Sequence, residues 1–237
     1  VGLCFPIISL ITAFTYLYGN GGAPLCSMER GKGNDEEAEH LMGNAFTLLI
    51  GTGIVLTIIG LIFYKPILYL FGASDDTFPY AGSYIQIYLL GTVFVMVSVG
   101  MNPFINSQGF GNTGMISVLI GAVLNIILDP IFIFVLNLGV RGAAIATIIS
   151  QFCSTVWVLV FLTGKRAVLH LKWSCMWLQW KRVLRIIGLG VSSFIMAFTN
   201  SLVQVVCNAT LQVYGGDIYV GVMTVLNSVR DICTLPV

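Results

Sequence analysis

The sequence of 237 residues contains very little charge. Charged residues make up 9% of the chain and hydrophobic residues 57%, and the mean hydropathy is +0.94. A soluble domain carries roughly 25% charged residues, so a chain this poor in charge cannot cover a surface that faces water. The scarcity of charge excludes an ordinary soluble fold and predicts a protein whose solvent is lipid.

Several other kinds of site also lack support. The net charge of +1 gives no broad basic surface, so no nucleic-acid partner is expected. The six cysteines include no C-x-x-C pair, and neither a zinc site nor a disulfide framework is indicated. Gly109, Gly111 and Gly114 match the letters of a dinucleotide fingerprint, but no strand precedes them and a long apolar stretch follows. We interpret these glycines as a tight turn.

Apolar stretches long enough to cross a bilayer, which takes about 20 residues, dominate the chain. Turns rich in glycine and asparagine separate them. They run over about 5–28, 41–71, 84–106, 114–136, 142–162 and 183–214, and a seventh begins near residue 218. The pattern predicts an all-α, polytopic membrane protein. Because both ends lie within apolar runs and no initiating methionine is present, we expect a part of a longer protein, truncated at both ends.

The longest linker, residues 164–182, concentrates cations and tryptophans. It contains Lys165, Arg166, Lys172, Lys181, Arg182, Trp173, Trp177 and Trp180. Cationic loops beside membrane helices stay in the cytoplasm, and tryptophan favours the level of the lipid headgroups. We therefore predict an amphipathic segment that lies on the inner face of the membrane.

The strongest candidate site is on the fourth stretch. Asn125 and Asp129 are spaced i, i+4, which places both on one face of a helix. Asp129 is the only acid deep within an apolar stretch, where a charge costs about 2.5–3.5 kcal/mol. A bound proton or sodium ion would offset that cost, whereas the alternative is a hydrogen-bonded packing residue. Pro130 is expected to bend the helix next to Asp129.

Thr147 lies early in the fifth stretch, after the small residues of 142–146. Small residues let two membrane helices approach closely. A short turn joins the fourth and fifth stretches, so Thr147 and Asp129 are expected at similar depth. The alternative is a threonine that bonds only to its own helix, and from the residues alone both interpretations stay open.

A second polar set lies on the sixth stretch. Thr199, Asn200, Gln204 and Asn208 recur at helical spacing and form a polar stripe. Such a stripe should face a cavity or another helix. We therefore take Asn200, Gln204 and Asn208 as candidate substrate-cavity residues.

Four motifs, in this order and spacing, resemble the multidrug and toxic compound extrusion (MATE) family. They are Gly21–Pro24 with Gly31–Asn34, Pro103–Gly109, Asn125–Pro130 and Gly142–Thr147. The resemblance implies a fold of twelve helices in two six-helix lobes, of which this chain would supply helices two to eight. It would assign residues 1–163 to the N-terminal lobe, 164–182 to the cytoplasmic linker and 183–237 to the start of the C-terminal lobe.

The resemblance also implies a function. Asn125, Asp129 and Thr147 would form the cation site of the first lobe, holding H⁺ or Na⁺, with no cofactor and no metal other than sodium. The chain would belong to an antiporter, not an enzyme, that exports drugs and other organic cations across the plasma membrane of a bacterium, and it is expected to be monomeric.

Three other classes of membrane protein are alternatives. A flippase for lipid-linked saccharides should contain a cationic cavity, but the apolar stretches hold almost no Lys or Arg away from their ends. An intramembrane aspartyl protease needs two facing acids, and Asp129 has no such partner in the sequence. A membrane scaffold that transports nothing predicts that Asp129→Asn has no effect.

Overall fold

The computed structural model describes residues 2–71 and 73–234, which form a bundle of helices without a β-strand. The main helices are α1 (Phe5–Gly31), α2 (Asp35–Leu70), α3 (Phe78–Leu90), α4 (Thr92–Ser107), α5 (Gly111–Pro130), α6 (Gly139–Thr163) and α7 (Trp180–Thr234). A π-helical turn, Ile131–Val135, follows α5, and a short 3₁₀ helix, Trp173–Met176, precedes α7. The predicted all-α fold is confirmed.

Within the described residues, four helices are both long and apolar enough to cross a membrane. They are Asp35–Leu70, Gly111–Val135, Gly139–Thr163 and Trp180–Gly216. A fifth span results if α3 and α4 are counted as one bent helix. At 36 residues α2 is about 54 Å long, well beyond the roughly 30 Å of a bilayer core. These helices fit the predicted polytopic membrane architecture.

Helix α1 covers the first predicted stretch but falls outside this set. It carries several glycines and polar residues such as Thr15 and Asn20, which lower its hydropathy. Most of its surface packs against α2, α4 and α7, and about half of its residues are buried. Its composition therefore suits contact with protein on most sides, with little exposure to lipid.

The third predicted stretch, 84–106, is not one helix. The chain bends by 58° between Leu90 and Thr92, with Gly91 at the break. At this bend the hydroxyl of Thr57 on α2 lies 2.9 Å from the carbonyl oxygen of Leu89, and 2.8 Å from that of Gly53 in its own helix. The predicted stretch thus corresponds to two helices joined by a bend, and the bend was not predicted because hydropathy runs unbroken through Gly91.

Helix α2 starts with a capping residue and a run of acids. The side chain of Asn34 caps the helix by accepting from the amide of Glu37 at 3.3 Å. Three acids, Asp35 to Glu37, occupy the first turn, where the helix dipole favours negative charge.

Helices α1 and α7 cross at two glycines. A Cβ atom at Gly190 would overlap the carbonyl oxygen of Leu17, and one at Gly21 would overlap the carbonyl oxygen of Ile186. Only hydrogen at these positions allows the two backbones to touch, as is usual for closely packed membrane helices. Further along α7 the backbone leaves helical geometry at Gly216, with φ 68° and ψ −168°, at the end of the sixth predicted stretch.

Buried polar side chains hold the linker before α7. The Asn44 amide donates to the carbonyls of Cys175 and Trp177 and accepts from the amide of Gln179 at 2.8 Å. Gln108 accepts from the amides of Val168 and Leu169 at 3.0 and 2.9 Å. The linker is therefore docked on the ends of α2 and α4.

The shape of the linker differs from the expected amphipathic segment. It is largely irregular, with one short 3₁₀ helix, and several of its backbone groups bond to the side chains of Asn44 and Gln108 at the ends of α2 and α4. Trp173, Trp177 and Trp180 nevertheless point outward, with 86%, 81% and 73% of their surface exposed. Its placement on the inner membrane face stays a prediction.

Ion pairs strengthen the same docking. Lys172 contacts Glu39, Arg182 contacts Glu37 and Arg185 contacts Glu29, each at 2.6 Å. The hydrogen bond from Lys172 to Glu39 raises the pKa of the lysine ammonium, so the lysine keeps its charge. Acids in the last turn of α1 and the first turns of α2 thus join the linker and the first turns of α7 to the rest of the bundle.

The glycine crossing generates the first prediction. Gly190→Val should destabilise the protein by about 1–3 kcal/mol, because the added side chain forces α7 away from α1. The measurement is thermal unfolding in detergent, followed by tryptophan fluorescence. Gly188→Val is the matched control, since a Cβ atom there meets no atom within 4 Å. Equal losses in the two variants would contradict the tight crossing.

Candidate cation site

The end of α5 is shaped by Pro130. Proline has no amide hydrogen, so the regular helical ladder is interrupted at this residue and continues as the π-helical turn Ile131–Val135. The chain then reverses through Asn137 and Gly139, which have φ of 51° and 53°. Helices α5 and α6 consequently run antiparallel and side by side.

Gly142 allows α6 to pack closely beside this turn. A Cβ atom at residue 142 would come within 2.6 Å of the carbonyl oxygen of Phe132. The absence of a side chain lets the first turns of α6 lie directly against the π-helical turn. This close approach brings Thr147, about one and a half turns further along α6, to the level of Asp129 on α5.

The structure brings the three candidate residues together. The Asn125 amide nitrogen lies 3.4 Å from Asp129 Oδ1 and 3.4 Å from Thr147 Oγ1. The Thr147 hydroxyl donates to the carbonyl of Ala143 at 2.9 Å, so its oxygen is free to accept from Asn125. Asn125 therefore connects the acid on α5 to the threonine on α6, and Thr147 makes both of the bonds that the sequence left as alternatives.

Tyr84 of α3 is a fourth member that the sequence did not predict. The Tyr84 side chain is buried and lies near Thr147 and Asp129. The signal in the sequence is weak, because Tyr84 belongs to an apolar stretch rich in aromatic residues. Only the packing of α3 on α6 brings this tyrosine near the predicted site.

Asp129 is half-buried. No ion pair to it occurs in the part of the chain that the structure describes, and the same residues contain no group of three or more His, Cys, Asp or Glu that could hold a metal ion. The available ligands are carboxylate, amide and hydroxyl oxygens. Such oxygens suit a hard monovalent cation or a proton.

A polar cavity of about 450 Å³ adjoins this group. It lies between α4, α5 and α6, and Asn125 and Thr147 are part of its wall. Its remaining polar lining is Ser98, Asn102, Ser117, Ser150, Gln151 and Ser154. The cavity runs along α5 from Asn125 towards the helix start, so it gives polar surroundings to the inner face of that helix.

Hydrogen bonds across the cavity wall connect its three helices. Ser98 on α4 donates to Gln151 on α6 at 2.6 Å, and Ser154 on α6 donates to the carbonyl of Ser117 on α5 at 2.9 Å. Asn102 on α4 donates to the carbonyl of Gly114 at 2.9 Å. The polar groups are thus paired within the protein, as a membrane interior requires.

The sequence contains a signal for this cavity beyond the three predicted residues. Residues 117, 121, 125 and 129 are Ser, Gly, Asn and Asp, one helical face of α5. Thr147 and Gln151 continue the same pattern on α6. Following the i, i+4 spacing from Asp129 would have identified Ser117, and from Thr147 it would have identified Gln151.

The polar stripe on α7 is split between different surroundings. Asn200 is exposed, Gln204 contacts the hydroxyl of Ser9 on α1 at 3.4 Å, and Asn208 is buried. All three lie on a different helix from the group around Asp129. Their assignment to a substrate cavity stays a prediction.

Comparisons with known proteins point to one family. A family model described as MatE matches residues 1–131. The multidrug export protein MepA of Staphylococcus haemolyticus is 29% identical over 220 residues, which is 91% of this chain and 48% of that protein. The chain thus spans about half the length of the curated relatives it matches.

Two solved structures share the fold. The MATE multidrug transporter DinF-BH, solved in complex with a dye, is 35% identical and superposes with a TM-score of 0.87, covering 95% of this chain and 51% of that one. A multidrug resistance MATE transporter in an inward-facing conformation gives a TM-score of 0.90 at 25% identity, covering 94% and 51%.

The contact between Asn125 and Thr147 generates the second prediction. In a double-mutant cycle of Asn125→Ala and Thr147→Val, the stability losses should be non-additive by about 0.6 kcal/mol, a typical coupling for polar pairs in membranes. The measurement is unfolding in mixed micelles. Asn125→Ala with Thr163→Val is the control, because Thr163 bonds to Leu159 of its own helix and should give no coupling. Additivity in both cycles would contradict the contact.

Proposed function

Because the chain belongs to the MATE family, we propose that it is part of a cation-coupled antiporter that exports drugs and other organic cations. Inflow of protons or sodium ions would drive the export. The relatives named as multidrug exporters support this proposal, and so does the transporter solved with a bound dye. The plasma membrane of a bacterium is the proposed location.

One observation carries the proposal: an acid within a membrane span is held beside an amide and a hydroxyl group. The amide nitrogen of Asn125 lies 3.4 Å from both Asp129 and Thr147. A carboxylate in hydrocarbon is costly, so Asp129 favours any state in which a small cation neutralises it. The surrounding oxygens provide the partners for such an ion.

Exchange follows from this preference. When Asp129 binds a proton or sodium ion, the site loses its negative charge and its attraction for an organic cation. When the ion leaves, the charge returns and must be compensated again. A protein that exposes the site to the two sides of the membrane in turn then couples inflow of the ion to outflow of the drug.

The polar cavity supports access of water to the site. Ser98, Asn102 and Gln151 line it on the side of Asn125 away from Asp129, and each can exchange a protein hydrogen bond for one to water. A hydrated approach lowers the barrier for a proton or a sodium ion to reach Asp129 from one side.

The division into lobes is part of the same proposal. Residues 1–163 would form most of the N-terminal lobe, 164–182 the linker and 183–237 the start of the C-terminal lobe. On this division, the crossing of α1 and α7 at Gly21 and Gly190 is a contact between lobes. The docked linker would then fix the length of the connection between them.

The third prediction concerns Asp129. In the protein at its natural length, Asp129→Asn should reduce dye efflux from cells to the level of cells without the protein, because the amide cannot exchange a cation. The measurement is the rate of loss of a fluorescent cationic dye from preloaded cells.

Asp76→Asn is the matched control. Asp76 is an exposed acid in the turn between α2 and α3, and its replacement should leave efflux unchanged. Full efflux in the Asp129→Asn variant at normal expression would reject the proposed role and favour a scaffold that transports nothing.

The fourth prediction separates the two coupling ions. In vesicles that contain the purified protein, an imposed proton gradient should drive dye uptake that stops on addition of a protonophore if H⁺ is the coupling ion. If Na⁺ couples transport, uptake should follow an imposed sodium gradient and survive the protonophore. Dye uptake that follows neither gradient would refute cation coupling.

A further inference from the structure

A groove between the ends of α5 and α6 that adjoin the linker lies apart from the candidate cation site. It encloses about 680 Å³ and starts at Thr113 on α5. Thr113 and Asp129 lie at opposite ends of one helix, about 24 Å apart along its axis. We call it the basic groove, defined by Thr113, Ile116, Trp157, Val160, Lys165 and Arg166.

The basic groove is apolar along its length and cationic at its mouth. Ile116, Trp157 and Val160 line it with 39%, 38% and 62% of their surfaces exposed. Lys165 and Arg166 stand at the end of α6, where the helix gives way to the linker. An amphiphile with a negative headgroup and an apolar tail matches this distribution.

The cations near the basic groove form ion pairs, whereas the two at its mouth form none within the described part of the chain. Lys172, Arg182 and Arg185 are each neutralised by a glutamate at 2.6 Å. Lys165 and Arg166 take part in no ion pair with any residue that the structure describes. Their charges are therefore available to a ligand, and the guanidinium can bind a phosphate through two parallel hydrogen bonds.

From these features we propose that the basic groove is a binding site for an anionic phospholipid. The phosphate binds between Lys165 and Arg166, and one acyl chain passes Val160 and Ile116 and then Trp157 towards the middle of the bilayer. Basic pockets between membrane helices on the cytoplasmic side bind anionic headgroups in this manner. The lipid would fasten the end of α6 to the point where the linker begins.

The test uses Trp157 as a reporter inside the groove. The protein at its natural length, with every other tryptophan replaced by phenylalanine, is reconstituted into vesicles of phosphatidylcholine and phosphatidylglycerol. Bromine atoms on the acyl chains of one lipid at a time quench Trp157 when that lipid occupies the groove. Phosphatidylglycerol should be favoured at least about fivefold, the effect expected for one cation near an anionic surface.

Charge-removing variants decide where the preference arises. Lys165→Gln with Arg166→Gln should reduce the ratio of the two lipids to about one, because no cation then remains at the mouth of the groove. Lys65→Gln with Lys181→Gln removes the same net charge from two exposed lysines outside the groove and should leave the preference intact.

Three results would overturn the proposal. One is equal quenching by the two lipids in the unsubstituted groove, and another is an equal fall of the preference in both double variants. The third is loss of the preference when millimolar inorganic phosphate is added, which would identify a site for a free anion. All of these outcomes are independent of Asp129, so they leave the proposed transport function untouched.

Discussion

A polar group surrounded by lipid must find its partner inside the protein, and most features of this bundle depend on that constraint. The amide of Asn125 contacts both Asp129 and Thr147. The carbonyl of Leu89, next to a bend in the chain, lies 2.9 Å from the hydroxyl of Thr57 on α2. In both places a side chain on one helix contacts a polar group on another. Among the described residues the carboxylate of Asp129 forms no ion pair, which makes it the candidate for binding an ion.

Polar contacts between helices need short distances, and glycine makes these distances possible because it has no side chain. Gly142 allows α6 to approach the end of α5, and Gly190 allows α7 to touch α1. The first contact places Thr147 at the level of Asp129. The second joins a helix at the start of the chain to one near its end, so backbone contact there adds to side-chain packing such as that of Phe14 on Phe194.

The sequence predicts features that rest on neighbouring residues and misses those that rest on distant ones. Helical spacing was enough to pair Asn125 with Asp129, and the short turn after α5 was enough to place Thr147 nearby. The break at Gly91 was missed because the side chain that contacts it, Thr57, is on another helix. The docking of the linker was missed for the same reason, since Asn44 bonds to residues more than 130 positions later.

This long separation sets an order of events during synthesis. Asn44 and Gln108 emerge from the ribosome well before residues 164–179, the backbone that satisfies them. Until that stretch appears, the side-chain amides of Asn44 and Gln108 have to hydrogen-bond to water at the membrane surface. The bundle can therefore reach its final packing only after α6 has been inserted and the chain has returned to the side of the membrane on which α2 begins. The linker thus docks late, on helices that were inserted earlier.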